Sequence, residues 1–312
     1  MEYFFSVVIA TKNRKDDLDL VIPAFLKQTY PKKEIIVVDN ASTDGTKDLI
    51  LEKYPEVRYY YLPDNINILA QNYGVYLAKG NIIWRTDSDS NPIDENLFYS
   101  VNEYFNKFSK VDILTFSCIL PGGDEWSWYQ LNKDKYFISE REGYNSDTFC
   151  GPGAAIKKTV FEEIGGFWEF GMEEKDFTAR ALLTNKIVRY RPDFKVIHYA
   201  SSSERNNQER WINLARQYLR YMWKFRSFSE ASLFTLLYIP IQLLQGIYWR
   251  VGFLCWFEGL FAFKTTIFRT IRKNRLKLSK TERKKLDFGR SEIRRLFDDY
   301  KFNIKRKFGG KK

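Results

Sequence analysis

An alternation of short apolar runs with amphipathic segments over the first 120 residues constrains the fold more than any other feature. Two runs, Phe5–Ala10 and Glu34–Asp39, are nearly continuous in apolar residues, as parallel strands buried on both faces are. Further strands are predicted at 57–62, up to Thr86 and at 111–118, and helices at 15–28, 46–53, 67–79 and 94–108. Strands and helices that alternate with short connections predict an α/β fold with a doubly wound, mostly parallel sheet.

Polar segments follow three of these strands at the point where each strand ends. They are Thr11–Arg14, Asp39–Asn40 and Asp87–Asp89. Doubly wound sheets bind ligands beyond the carboxyl ends of their strands, so one crevice could hold all three segments. Two carboxylates one residue apart can converge on a divalent cation such as Mg²⁺ or Mn²⁺, although the same spacing is common in surface turns. The Gly-x-Gly-x-x-Gly and P-loop patterns are absent from the sequence.

The next stretch of the chain is less regular. Residues 119–149 are rich in Gly, Trp, Tyr and charge and lack a clear period, which predicts a long loop over the site or, alternatively, a mobile surface loop. Strands are predicted at 188–191 and 195–199, the second carrying the single histidine, His198. Glu173, Glu174 and Asp176 cluster at a predicted helix start, which suits either simple capping or a general base. Like charges so close are expected to raise the pKa of at least one of these carboxyls.

Together these motifs resemble the inverting family 2 glycosyltransferases, including rhamnosyltransferase-like members and members with dolichol or other lipid acceptors. The matching segments are Ser6–Arg14, Ile36–Thr46, Ala70–Gly74 with Ala78–Gly80, and Gly165–Phe167 followed by Glu173–Asp176. The resemblance implies a Rossmann-like GT-A catalytic domain over residues 1–205. The sequence departs from the family pattern at Ala10, Lys12 and Ser88, and Glu174 stands where some relatives have Asp.

The resemblance also implies a role for each polar segment. Donor binding is assigned to Thr11, Asn13, Arg14, Asp39, Asn40, Asn72, Asp87 and Ser88, and metal binding to Asp87, Asp89 and His198. Asp39 is expected to accept a hydrogen bond from the imide N–H of the base. Glu174 is the preferred general base, Glu173 is the reserve, and Asp176 is expected to orient the site. The structural alternatives are a loop cap for Asp39, a solvated Arg14 and a packed His198, whereas Asp44 and Thr46 are predicted to be turn and cap residues.

Charge divides the chain into a near-neutral body and a basic tail. Nineteen of the 50 Lys and Arg residues but only five of the 39 Asp and Glu residues lie between Lys264 and Lys312, a net charge of +14, so the rest of the chain carries −3. The cysteines Cys118, Cys150 and Cys255 are scattered and odd in number, which favours a reducing compartment. The first residues lack the basic and apolar regions of a signal peptide.

The segment before the tail is almost free of charge. Residues 231–249 contain no charged residue, and Arg250 and Glu258 are the only charges before Lys264. A cytosolic catalytic domain and a cytosolic basic tail require zero or two crossings, and two crossings need about 40 apolar residues. We therefore predict amphipathic helices in the membrane interface at 206–268, contacting lipid through 231–268, and a basic tail at 269–312. The alternative is a packed helical pair that covers an interface in a homo-oligomer.

The predicted protein is a metal-dependent enzyme of polysaccharide biosynthesis, a hexosyltransferase-like glycosyltransferase with Mn²⁺ or Mg²⁺ as its cation. It transfers one sugar from a nucleoside-diphosphate sugar to a glycan or lipid-linked acceptor, and it lies on the cytoplasmic face of a membrane as a peripheral or monotopic protein. A non-catalytic nucleotide-sugar-binding protein is one alternative, which the complete acidic set disfavours. A nucleic-acid-binding protein is another, and the acidic residues within the basic tail, together with its apolar neighbour, disfavour it.

Overall fold

The computed structural model describes residues 1–125, 136–169, 171–200, 207–248 and 253–286. The chain divides into two compact units, Met1–Arg205 and Asn206–Lys312. The strands of the first unit are β1 Phe5–Thr11, β2 Lys33–Asn40, β3 Arg58–Leu62, β4 Ile82–Thr86, β5 Ser90–Pro92, β6 Val111–Ile119, β7 Phe137–Ser139, β8 Gly143–Asn145, β9 Ala154–Lys157 and β10 Ile187–His198. Its helices are α1 Lys15–Leu26, α2 Thr46–Lys53, α3 Leu69–Leu77, α4 Leu97–Lys107, α5 Lys158–Ile164 and α6 Glu173–Leu183.

All ten of these strands belong to one sheet within the described part of the first unit. Their order is β3-β2-β1-β4-β9-β6-β10-β8-β7, and β5 pairs with β10. The pairs β3–β2, β2–β1, β1–β4 and β6–β10 are parallel, whereas β9 lies antiparallel between β4 and β6. This arrangement confirms the predicted α/β fold with a mostly parallel central sheet.

Burial on both faces explains why β1 and β4 are so apolar. Val7, Val8 and Ile9 are fully buried although successive side chains point to opposite faces of the sheet. On one face the ring of Trp84 lies 4.5 Å from that of Phe98, centroid to centroid. On the other face α3 approaches β1 so closely that a Cβ at Gly74 would lie 2.3 Å from the side chain of Val8. The helices therefore cover both faces and leave the strand ends to form the site.

Two predictions about the later strands are wrong in detail. Residues 119–149 were expected to lack regular structure, but β7 and β8 lie within them as an antiparallel pair, and β8 pairs with β10; residues 126–135 lie outside the described part of the chain. The two strands predicted at 188–191 and 195–199 are the single strand β10. Pro192 resembles a break in the sequence, yet β10 passes through it with a register shift between Arg191 and Lys195.

The second unit is helical in its described part. Its helices are α7 Asn207–Phe225, α8 Phe228–Tyr248, α9 Phe253–Arg269 with a π-helical turn at Thr270–Asn274, and α10 Lys280–Leu286. Trp211 of α7 joins them, because its indole N–H donates to the carbonyl of Gln242 and its ring packs against Phe263. None of the described helices is long and apolar enough to cross a membrane. The predicted basic tail is described only as far as residue 286.

Candidate active site at the carboxyl ends of the strands

The parallel register brings the three polar segments of the sequence to one edge of the sheet. Thr11 at the end of β1 is the register partner of Asp39 on β2, and Ile9 is the partner of Thr86 at the end of β4. The segments that follow these strands therefore emerge side by side, as predicted from the strand ends.

Hydroxyl groups fix the turn that carries the two aspartates. Oγ of Ser90 accepts a hydrogen bond from the backbone N–H of Asp87 at 3.1 Å, lies 2.8 Å from Oγ1 of Thr86, and donates to the carbonyl of Pro152 at 3.0 Å. These buried contacts hold residues 87–90 against the loop before β9. The pattern explains why Thr and Ser flank the carboxylates in this turn.

Strand pairing also brings the histidine to the aspartates. Ser90 of β5 is the register partner of His198 of β10, and the backbone N–H of Tyr199 donates to the carbonyl of Asp89 at 2.9 Å. Nε2 of His198 consequently lies 3.3 Å from Oδ1 of Asp89. One ligand atom each from Asp87, Asp89 and His198 lies within 4.8 Å of the others. The short antiparallel pairing of β5 with β10 thus brings His198 next to Asp89, although the two are more than 100 residues apart in the sequence.

The donor set and the local charge both suit a divalent cation. Two carboxylate oxygens and one imidazole nitrogen are ligands that Mn²⁺ accepts, and Mg²⁺ prefers the oxygens. Burial alone lowers the pKa of His198, but its contacts with Asp89 and Cys118 and the charge of Asp87 raise that pKa to about 9. The carboxylates thus stabilise positive charge at this position, and a bound cation requires the neutral imidazole.

Arg14 and Thr11 border this cluster on the β1 side. Nη1 of Arg14 lies 3.3 Å from Oδ2 of Asp89 and 3.0 Å from Oδ2 of Asp17. Arg14 is therefore paired with carboxylates rather than solvated. Oγ1 of Thr11 is buried, and no hydrogen-bond partner is found for it within the described residues. A buried unpaired hydroxyl is costly, and a ligand in the crevice could satisfy it.

Asp39 and Asn40 organise the neighbouring loops. Oδ1 of Asp39 accepts the backbone N–H of Ser42 at 2.8 Å, and Oδ2 accepts the hydroxyl of Tyr59 at 2.6 Å. Each carboxylate oxygen retains a further lone pair for a ligand. The amide of Asn40 donates to the carbonyl of Asn67 and accepts the N–H of Ile66. Asp39 thus caps its loop, and this role is compatible with binding a base.

The other predicted donor residues lie in different settings. Asn13 has a left-handed backbone with φ 50°, and its side-chain oxygen accepts the N–H of Thr43 at 2.7 Å. Ser88 is buried in the aspartate turn. The amide of Asn72 makes two hydrogen bonds with the backbone of Phe167, at 2.7 and 2.8 Å. Asn72 therefore joins α3 to the loop before α6, and its contact with the donor stays a prediction.

Asp44 and Thr46 have the local roles predicted from the sequence. Oδ1 of Asp44 accepts both the backbone N–H and the hydroxyl of Thr46, and Oδ2 accepts the N–H of Lys15. These bonds stabilise the turn between β2 and α2.

The acidic helix start lies beside the aspartate turn. Oε1 of Glu174 lies 3.3 Å from Nη2 of Arg85, and Oε1 of Glu173 lies 4.0 Å from the same atom. The side chain of Glu174 is 25% exposed and that of Glu173 only 5%, so Glu174 has the better access to a substrate. Burial and the neighbouring Glu174 raise the pKa of Glu173 to about 8, as expected for clustered carboxyls, and burial also raises that of Glu174.

Asp176 has an orienting position. Its Oδ2 accepts the Nε–H of Arg180 at 2.8 Å, and Arg180 donates in turn to the backbone carbonyls of Ile164 and Gly166. These bonds hold the glycine loop that precedes the acidic helix start, and the orienting role of Asp176 stays a prediction.

Arg85 is the residue that the sequence reading missed. It stands in the otherwise apolar strand β4, is 4% exposed, and donates to Oδ1 of Asp87 at 2.7 Å. A charged residue next to Trp84 in a buried strand is the signal that could have found it, because a buried charge requires partners.

Comparison with known proteins gives a consistent result. The model of the family described as glycosyl transferase family 2 matches residues 6–165. A stretch of 115 residues is 34% identical to WfaP of Escherichia coli, a UDP-Glc:alpha-D-GlcNAc-diphosphoundecaprenol beta-1,3-glucosyltransferase, and covers 32% of this chain and 45% of that protein. The chain thus spans less than half the length of this relative.

Two solved structures have folds similar to that of this chain. TarS 1–349 from S. aureus in complex with UDP-GlcNAc has a TM-score of 0.60 at 17% identity, covering 95% of this chain and 92% of that one. The mannosyltransferase PcManGT from Pyrobaculum calidifontis, in complex with GDP-Man and Mn²⁺, has a TM-score of 0.57 at 18% identity, covering 96% and 88%. At such identities these likenesses establish the fold, and the predicted GT-A architecture is confirmed.

Proposed function

Because the chain belongs to glycosyl transferase family 2 and is therefore a glycosyltransferase that uses nucleotide-sugar donors, we propose that it transfers one sugar, with inversion and with a divalent cation, to a lipid-linked acceptor at a membrane. The observation that carries this proposal is that ligand atoms of Asp87, Asp89 and His198 lie within 4.8 Å of one another, while Arg85 contacts both Asp87 and Glu174.

The donor occupies the crevice between the ends of β1, β2 and β4 in this proposal. Asp39 accepts the imide N–H of a uracil, thymine or guanine base, and Thr11 supplies a hydroxyl that has no partner among the described residues. Asp87, Asp89 and His198 would hold the cation, which would offset the negative charge on the leaving diphosphate. Arg14 lies against Asp89 and adds positive charge on the same side.

Glu174 is the proposed general base. It accepts the proton of the acceptor hydroxyl as the oxygen attacks the anomeric carbon from the face opposite the diphosphate, which inverts the configuration. Its partial exposure makes it accessible, whereas Glu173 is buried and accepts the N–H of Gly171 at 2.5 Å. Asp176 holds the preceding loop through Arg180.

The second unit supports a membrane location for the acceptor. Three exposed leucines of α8, Leu233, Leu236 and Leu244, recur at helical spacing. On α9 the side chains of Phe257 and Phe261 are exposed. An apolar face of this kind suits the interfacial region of a bilayer. Exposed basic residues follow in the same part of the chain and suit anionic headgroups. They are Lys264 and Arg269 on α9 and Arg272 and Lys273 in the π-helical turn.

The lipid-linked acceptor is supported by one relative. WfaP is named for transfer to a GlcNAc carried on diphosphoundecaprenol, and such an acceptor lies at a membrane surface. We extend this chemistry to the present chain and place its transfer at the cytoplasmic face, where nucleotide sugars are available. The alternative use of the exposed helices, an interface between copies of the chain, would show as a concentration-dependent mass in solution.

A donor screen tests the proposed function. UDP-glucose, UDP-N-acetylglucosamine, GDP-mannose and dTDP-rhamnose are each incubated with the protein, a polyprenyl-diphosphate-linked GlcNAc acceptor, and either Mn²⁺ or EDTA. We expect at least one donor to release nucleotide only with Mn²⁺ and to give a product of inverted anomeric configuration by NMR. Glu174→Gln should lower the yield of this product by about 10²- to 10⁴-fold, whereas Glu162→Gln, which changes an exposed glutamate of α5, should leave it unchanged. Retention of configuration, or equal turnover in EDTA, contradicts the proposal.

A further inference from the structure

A buried arginine contacts both the aspartate turn and the acidic helix start of the proposed active site. Arg85 lies on β4, and its Nη1 donates to Oδ1 of Asp87 at 2.7 Å while its Nη2 lies 3.3 Å from Oε1 of Glu174. Glu173 lies 4.0 Å from the same nitrogen. One guanidinium therefore contacts a proposed metal ligand with one nitrogen and the proposed base with another. A fork of this shape fixes both distance and direction, which a lysine cannot do.

A glycine leaves the space that this contact requires. A Cβ added at Gly151 would lie 2.4 Å from Nη1 of Arg85 and 2.5 Å from Oε1 of Glu174. The backbone of Gly151 is not in the left-handed region, so space rather than conformation is the reason for glycine here. At Gly122 an added Cβ would meet no atom within 4 Å. The two positions form a matched pair for testing the contact.

We propose that Arg85 is a positioning residue that holds Glu174 and Asp87 at a fixed separation on either side of the reacting bond, and that Gly151 permits this contact. The inference rests on the proposed function, in which Asp87 holds the cation and Glu174 takes the proton. A base contributes to catalysis only within hydrogen-bond reach of its proton, so an error of about 1 Å in its position costs about 10²-fold in rate. Without the guanidinium the carboxylates would also repel one another.

The charge of Arg85 has a second effect that can be measured. Four titratable or charged groups lie around Glu174. They are Arg85 on β4, Asp87 in the turn after β4, Glu173 on the same helix as Glu174, and Cys150 next to Gly151. Burial raises the pKa of Glu174, Arg85 lowers it, and Asp87 raises it. Removal of the arginine charge should therefore raise the pKa of Glu174 further and move the acid limb of the rate profile to higher pH.

The first arm of the test requires no substrate. Glutamate carboxyl carbons are labelled with ¹³C and titrated by NMR in the wild type, Arg85→Met, Arg85→Lys and Gly151→Ala, with the Glu173 and Glu174 signals assigned from their Gln variants. We expect the pKa of Glu174 to rise in Arg85→Met and Gly151→Ala, because the lowering effect of the guanidinium is removed or displaced, and to rise less in Arg85→Lys. Gly122→Ala should leave it unchanged. An unchanged pKa in both Arg85→Met and Gly151→Ala overturns the inference.

The second arm measures turnover with the donor found in the screen. Arg85→Met and Gly151→Ala should each lower kcat by about 10²-fold with little change in the donor KM, and kcat should recover in part at higher pH. Because Gly151 is proposed to act through Arg85, the double variant should be no slower than Arg85→Met alone. Additive losses, or wild-type kcat in Gly151→Ala, overturn the inference. A wild type that turns over no donor refutes the proposed function, while the NMR arm still decides the role of Arg85.

Discussion

Glu173→Gln is expected to stabilise the folded protein, although it removes a buried side chain that the sequence alone marks as catalytic. The pKa of Glu173 is about 8 in the folded state, mainly because the side chain is buried, against a usual value of 4.5. Near neutral pH the folded protein therefore keeps a proton on Glu173 that the unfolded chain releases. Glutamine has the shape and charge of that protonated acid, and its side-chain oxygen can still accept the N–H of Gly171.

The size of the effect follows from the two pKa values. The folded state binds more protons than the unfolded state between about pH 4.5 and pH 8, so stability falls with rising pH across that window. Each pKa unit corresponds to 1.36 kcal/mol, which gives a cost of about 3 kcal/mol at pH 7 and about 5 kcal/mol above pH 8. The Gln variant does not have this cost. Its advantage should be near zero below about pH 4.5 and should grow to a plateau above pH 8.

Urea unfolding of both proteins at about pH 5, 7 and 9 measures the difference directly. Glu162→Gln is the matched control, because Glu162 is an exposed glutamate on α5, and its stability should follow that of the wild type at every pH. A Glu173→Gln variant that is less stable than the wild type at pH 7, or whose advantage does not grow with pH, refutes the account of the acidic cluster.

Three further predictions concern the metal, the base and the membrane. Asp89→Ala should lower turnover by about 10²-fold or more, because it removes a ligand of the cation that offsets leaving-group charge. Glu174→Gln should lower transfer by about 10²- to 10⁴-fold while calorimetric donor affinity persists, and Glu173→Gln should remain active. The full chain should bind anionic vesicles in a way that high salt reverses only in part, and Phe257→Ser with Phe261→Ser should weaken that binding.

Each of these predictions has a control and a contradicting result. Asp193→Asn changes an exposed aspartate of β10 and should keep full turnover, and an active Asp89→Ala would exclude it as a ligand. Normal transfer by both glutamate variants would leave these residues as helix caps. Tyr76→Ser changes an exposed aromatic residue of α3 and should bind vesicles as the wild type does. Complete release of the wild type by salt would mean that charge alone holds it at the membrane.

The fold of the first half could be predicted because each element there has a local signal. Runs such as Val7–Ile9 are buried on both faces of the sheet, and that burial is what makes them continuously apolar. Where the signal is weak the prediction was wrong: β7 and β8 are three residues each, too short to show a period, and Pro192 concealed the continuity of β10. Short strands are specified by pairing with distant partners, which a local pattern does not contain.

In the candidate site, too, local patterns were predictable and distant contacts were not. The aspartates could be found because they lie one residue apart directly after a strand, and His198 was assigned by family resemblance. The link through Arg85 could not be predicted from the sequence, because its partners Asp87 and Glu174 are brought together only by the folded sheet and the start of α6. The two hydrogen bonds of the Asn72 amide with the backbone of Phe167 could not be predicted either, because they join α3 to a loop 95 residues away. Long-range contacts of polar side chains required the structure.

The most direct test is calorimetric titration of UDP and GDP into the full chain, with Mn²⁺ and then with EDTA. It measures whether nucleotide binding depends on a cation at Asp87, Asp89 and His198. We expect at least one nucleotide to bind with Mn²⁺, and its affinity to fall by at least about tenfold in EDTA and in Asp89→Asn, because the positive charge that would offset the diphosphate is then absent or held less tightly. Asp193→Asn should bind as the wild type does. Equal affinity with Mn²⁺ and with EDTA would contradict the account.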